Sequence, residues 1–202
     1  MPAQKKFEFG DVKISCDENS RMDVLCETLK KEFPKLIMRE KSAVLKWRIA
    51  NWFIIIFTFG KEKNFLEFYT TTSKNCIDWS KARFDDLISG DSYQIDRCWG
   101  TLTHETVHLR QFKKYGAILM ALGYLLIFFP LGLAYVRAMC EKPAYIETLR
   151  CWFIRDNEFS KTPEAMDWLV KQFTNSGYGW MWPFKKTVRG WFEKELAKLN
   201  GK

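Results

Sequence analysis

Apolar residues recur along this chain first at strand-like and then at helix-like spacing. Over residues 7–14 they fall at Phe7, Phe9, Val12 and Ile14, an alternation that predicts a strand. Asn19 and Ser20 then offer a helix cap. Met22, Leu25, Leu29 and Phe33 lie on one stripe, so a helix is expected through about Phe33, where Pro34 ends it. Ser42 opens a second expected helix carrying Leu45, Ile49, Trp52, Phe53 and Ile56. The run 52–59 also fits a buried strand, because a short apolar run does not distinguish the two. Gly60 and Lys61 break it. Over 65–79 the aromatic and β-branched content points to strand, with 65–70 the best candidate.

Helical spacing dominates the second half. Gly90, Asp91 and Ser92 read as a turn. Asp96 suits an N-cap, and Gly116 suits a left-handed terminator after the basic turn Lys113-Lys114, so a long helix is predicted over 97–115. Residues 117–136 carry no charge, which is the length of a membrane span. Gly123, Pro130 and Gly132 interrupt that run, and a buried helix–turn–helix is expected there instead. A helical pattern continues from Cys140 to about Asn157. Thr162-Pro163-Glu164 opens another helix, reaching about Phe173, and Asn175-Ser176-Gly177 stops it. The last helix is expected from near Pro183 to Leu199, with Trp191, Phe192, Leu196 and Leu199 on its docking stripe. With no repeat, low-complexity tract or linker, 1–202 reads as a single domain of the α+β class. It is mostly helical, with a small sheet early and a helical C-terminal half.

Composition narrows the class. A chain of 202 residues that is 47% hydrophobic and 16% aromatic can bury a sizeable core and is not a disordered polymer. The net charge of +8 is dispersed among acids, as in Lys61-Glu62-Lys63 and Glu193-Lys194-Glu195. That mixing predicts a solvated basic surface and argues against nucleic acid as a partner. The six cysteines show no CxxC spacing, and the polar, basic start has no apolar signal core. Free thiols in a reducing compartment follow, with no signal peptide and a cytoplasmic or virion-associated location. Membrane contact through 117–136 stays open. The aromatic run 178–184 reads as packing for the last helix.

The chemistry is concentrated at one place. Both histidines of the chain lie in Thr103-His104-Glu105-Thr106-Val107-His108, an HExxH motif. On a helix, His104 and His108 share one face and can reach one metal ion, while Glu105 lies one residue round as a base that does not ligate. Catalytic zinc needs three protein ligands and an open position for water. With no third histidine, the third ligand is Asp, Glu, Cys or nothing. The best downstream candidate is Glu141, in Arg137-Ala138-Met139-Cys140-Glu141-Lys142-Pro143-Ala144-Tyr145, and Glu147 is the fallback.

His-Glu-x-x-His on one helix followed by Glu-x-x-Ala on a later one resembles the gluzincin metalloproteases. Residues 101–111 also resemble small, mostly uncharacterised zincin-like proteins of bacteria and phages. The resemblance covers 96–147. It implies a zincin-like fold with the small sheet packed on the HExxH helix, Zn2+ held by His104, His108 and Glu141, and Glu105 as general base in peptide-bond hydrolysis of a polypeptide substrate. Two departures stand out: Pro143 where family members often carry an acid, and Tyr145 where membrane gluzincins commonly have Asp. Tyr145 is a candidate oxyanion donor, as are Tyr178 and Arg110. The rival expectations are a catalytically inactive metal-binding structural or virion component and a membrane-associated interaction protein.

Overall fold

The computed structural model describes residues 3–57, 64–125, 134–175 and 181–201. Its internal contacts group into two compact units, Met1–Leu109 and Arg110–Lys202.

The first unit opens with a hairpin. Strands β1 (Gln4–Phe9) and β2 (Val12–Asp17) pair antiparallel with Phe7 opposite Ile14. The single strand expected over 7–14 is therefore folded back on itself. Gly10 makes this possible: its φ is +66°, and a Cβ there would lie 2.6 Å from the Ile37 side chain. Only glycine can take that backbone shape at that distance.

Helix α1 (Arg21–Glu32) follows, and its start is a reciprocal cap. The Asp23 amide donates to Ser20 Oγ at 3.1 Å, and the Asn19 amide donates to Asp23 Oδ2 at 2.7 Å. Strand β3 (Ile37–Glu40) and a 3-10 turn (Lys41–Ala43) lead into α2 (Leu45–Phe57), which settles the ambiguous run over its described part in favour of helix.

Phe65–Phe68 forms a short helix, α3, and not the strand expected over 65–70. The strand pairing falls later, on β4 (Thr71–Ser73) and β5 (Cys76–Trp79). β5 is the central strand of a three-stranded sheet, parallel to β3 and antiparallel to β4. Aromatic content alone misplaced the strand because those rings pack locally. Phe65 stacks on Tyr69 at 6.1 Å and meets the edge of Trp47 at 6.2 Å.

Helices α4 (Lys81–Ile88) and α5 (Ser92–Tyr115) follow. α5 starts a turn earlier than expected, because Asp91 and not Asp96 caps it. Asp91 Oδ1 accepts from the amides of Tyr93 and Gln94 at 2.7 and 3.2 Å. Gly116, at φ +81°, ends it as expected. Ile95, Cys98, Leu102 and Leu109 of α5 share one core with Ile77 and Trp79 of β5 and with Val12, Ile14, Leu29 and Met38.

A buried polar hub supports the sheet. The Asp78 carboxylate, wholly buried on β5, accepts from Arg39 Nε and from Trp47 Nε1, both at 2.6 Å, with Lys46 Nζ at 3.5 Å. Burial alone would raise its pKa. Those donors and charges outweigh burial and hold the carboxyl below its ordinary range.

The second unit is helical. After the last residues of α5 come α6 (Ala117–Leu125), α7 (Ala134–Arg155), α8 (Asn157–Ser160), α9 (Pro163–Thr174) and α10 (Lys185–Leu199). α9 begins as read, with Thr162 Oγ1 accepting from the Ala165 amide and Pro163 in the first turn. Its core joins Ala138, Tyr145 and Leu149 of α7 to Leu169, Val170 and Phe173 of α9 and to Val188 and Phe192 of α10.

The buried helix–turn–helix expected at 117–136 is not what α6 presents. Met120 is buried, but Ile118, Leu119 and Leu122 are exposed. The run lacks charge without having an internal partner for every side. Residues 126–133, with Pro130 and Gly132, lie outside the described residues. Among the described residues no helix is long and apolar enough to cross a membrane. None of the six cysteines is in a disulfide.

Candidate metal centre

α5 displays the HExxH residues as the 3.6-residue period requires. His104 Nε2 and His108 Nε2 lie 3.3 Å apart, their rings 5.0 Å between centroids and inclined at 68°. Two nitrogens each about 2.0–2.1 Å from a tetrahedral zinc ion are separated by roughly 3.3 Å, so the pair already has a chelating spacing. His104 is half-buried and His108 is buried. The helix around them is quiet: Thr103 Oγ1 donates to the Trp99 carbonyl and Thr106 Oγ1 to that of Leu102, so neither hydroxyl competes for an ion.

One further side chain among the described residues, Glu141 of α7, could share an ion with them. His104, His108 and Glu141 each offer one ligand atom, and the three atoms lie within 4.8 Å of one another. The carboxylate itself is buried. Its turn of α7 is shaped by Pro143, which lacks the amide that would bond the Met139 carbonyl. The next carbonyl, that of Cys140, accepts from Gln111 Nε2 at 2.7 Å. Gln111 sits three residues beyond His108 on α5.

The fallback, Glu147, is outside this group. Its Oε1 is engaged by Arg150 Nη1 at 2.5 Å, at the partly exposed side of α7. Tyr145 is 5% exposed, with ring edges against Trp168 at 5.9 Å and Phe173 at 5.4 Å and its hydroxyl 3.5 Å from Gln172 Oε1. Those are the contacts of a core residue. Tyr178 lies outside the described residues, and Arg110 is on the exposed side of α5.

Glu105 is buried and held from the sheet. Thr72 Oγ1 of β4 donates to Glu105 Oε2 at 2.6 Å, which fixes the carboxylate and leaves its other oxygen for a proton. The neighbouring hydroxyl, Thr71 Oγ1, accepts from the buried Lys41 Nζ at 2.6 Å, and that ammonium also donates to the Tyr69 carbonyl at 2.8 Å. Lys41 lies over the Phe65 ring at 3.4 Å. Burial pushes its pKa down to about 7, against the opposing pull of the Glu105 and Asp78 carboxylates. Thr72 and Lys41 were absent from the sequence reading. The run Thr70-Thr71-Thr72-Ser73 was the available signal, since a strand of hydroxyls beside a metal helix can donate to a base.

Two imidazoles and one carboxylate suit zinc, and the spacing of the described atoms is compatible with one ion. No protein-family model matches this chain, and no similar protein was found among the curated proteins or the solved structures.

Proposed function

We propose that this chain is a zinc-dependent metallopeptidase of gluzincin type that hydrolyses peptide bonds of a polypeptide substrate. The observation that carries the reading is the grouping of His104, His108 and Glu141 ligand atoms within 4.8 Å, with buried Glu105 on the same helix as the two histidines. His104, His108 and Glu141 would hold the zinc ion, which would supply Lewis acidity and a water acidified to a pKa of about 7. Glu105 takes the proton as water attacks the scissile carbonyl, and later returns it to the leaving amine. Thr72 keeps that carboxylate oriented through both transfers, and Gln111 steadies the turn that carries Glu141.

The same donor types also hold ferrous iron. A carboxylate beside the ligands, fixed by a hydroxyl and not itself needed for ligation, is what hydrolysis requires and favours zinc. One observation supports a second reading, a metal site kept for structure without catalysis: Tyr145 packs in the helical core of the second unit. Glu105→Gln separates the two. Under the hydrolytic reading this variant keeps its zinc and loses at least about a hundredfold of its activity on an unfolded protein substrate. Full activity in Glu105→Gln would remove Glu105 as the base.

Six free cysteines support placing the chain in a reducing compartment. The exposed Ile118, Leu119 and Leu122 support membrane contact through 117–136 as part of the same proposal.

A further inference from the structure

Helix α2 carries an apolar stripe that faces outward. At about 100° of rotation per residue, Leu45, Ile49, Trp52, Phe53 and Ile56 fall within a band roughly 100° wide. All five are exposed, Leu45 at 66% and Trp52 at 59%. The opposite side of the helix is committed to the fold, since Trp47 Nε1 donates to Asp78. Trp52 and Phe53 meet edge to face at 5.0 Å, forming one aromatic prow on the outward side.

The charges of α2 are all of one sign. Lys46 and Arg48 lie one on each edge of the stripe; the Lys46 ammonium is 3.5 Å from the Asp78 carboxylate, Arg48 is exposed, and the helix holds no Asp or Glu. An aliphatic and tryptophan face with cations on both margins matches the boundary of a bilayer, where Trp sits at headgroup depth and basic side chains meet lipid phosphates. The chain's net charge of +8 adds a long-range attraction of the same sign. Thirteen residues cannot span a bilayer but can lie along one.

We propose that α2 docks the protein on an anionic lipid surface, with Leu45, Ile49, Trp52 and Ile56 inserted among the acyl chains and Arg48 at the headgroups. None of these residues belongs to the His104, His108 and Glu141 group.

The test is flotation of the full 202-residue chain with phosphatidylcholine vesicles, with and without phosphatidylglycerol, beside Trp52→Glu/Phe53→Glu and Arg48→Glu variants. The substituted side chains are exposed, and circular dichroism confirms that the variants keep their helix content. The wild type is expected to float with the anionic vesicles and to be released by salt. Arg48→Glu should lose roughly tenfold or more in partition, and the double variant should stay at the bottom. Wild-type protein that does not float, or a double variant that floats as well as wild type, overturns the proposal. So does a wild-type dimer that the double variant dissolves without any vesicle binding, since the stripe would then serve a second copy of the chain.

Discussion

Thr72 Oγ1 stands 2.6 Å from Glu105 Oε2, joining an edge strand of the small sheet to the carboxylate of the HExxH helix. The hydroxyl fixes one oxygen of that carboxylate. Thr72→Val keeps the shape and the β-branching but removes the donor. Hydrolysis should fall by about ten- to a hundredfold in kcat with zinc content unchanged, and Thr72→Ser should restore most of it. Equal kcat in wild type and Thr72→Val would mean that the contact does not orient the base.

Glu141 and Glu147 lie on the same helix, but of the two only Glu141 is grouped with the histidines as a possible ligand. Glu141→Ala should weaken zinc affinity by at least roughly a hundredfold, measured by competition with a chromogenic chelator. Glu147→Ala should leave affinity unchanged and cost about 0.5 kcal/mol or less of stability, because its pair with Arg150 is partly exposed. The reverse pattern would move the third ligand.

Lys41 gives the stability a pH dependence of definite sign. Its folded pKa is about 7, against 10.5 for an ordinary lysine. Between those values the unfolded chain binds the extra proton, so stability rises with pH across that window and the penalty is complete below about 7. The slope contributed is on the order of 1 kcal/mol per pH unit at most. Lys41→Met should be more stable than wild type near pH 7, with the difference shrinking by pH 10, as read from urea unfolding. A difference that grows with pH would contradict this.

Asp78 is wholly buried and engaged by Arg39, Trp47, Lys46 and the Cys76 thiol. Asp78→Asn removes the charge that compensates Arg39 and Lys46 and should cost about 2–3 kcal/mol, less than a sealed ion pair because Arg39 can turn to water. Unfolding free energies of the two proteins decide it.

Much of the fold could be read where local chemistry determines it. Ser20, Thr162 and Gly116 mark helix ends through side-chain caps or a positive φ, and these were found from residue type alone. Asp91 was missed as a cap because it lay in an apparent Gly-Asp-Ser turn, five residues before the equally suitable Asp96. The strand expected at 65–70 failed because ring packing against Trp47 and Lys41 depends on distant sequence. Similarly, the hairpin at Gly10 depends on Ile37, twenty-seven residues away. The pairing of His104 with His108 was legible because their spacing on one helix carries geometry by itself. Thr72 and Lys41 were not, since only tertiary pairing brings β4 to α5 and places Lys41 behind it. The exposed stripe of α2 was legible as a pattern but not as a surface, for periodicity does not say which face is covered.

Metal analysis of purified chain tests the central claim most directly. Protein prepared without added metal or chelator should carry about one zinc per chain, and the His104→Ala/His108→Ala variant should carry essentially none while remaining folded. Wild-type protein without zinc, or a double variant with unchanged zinc content, would contradict the assignment of the site.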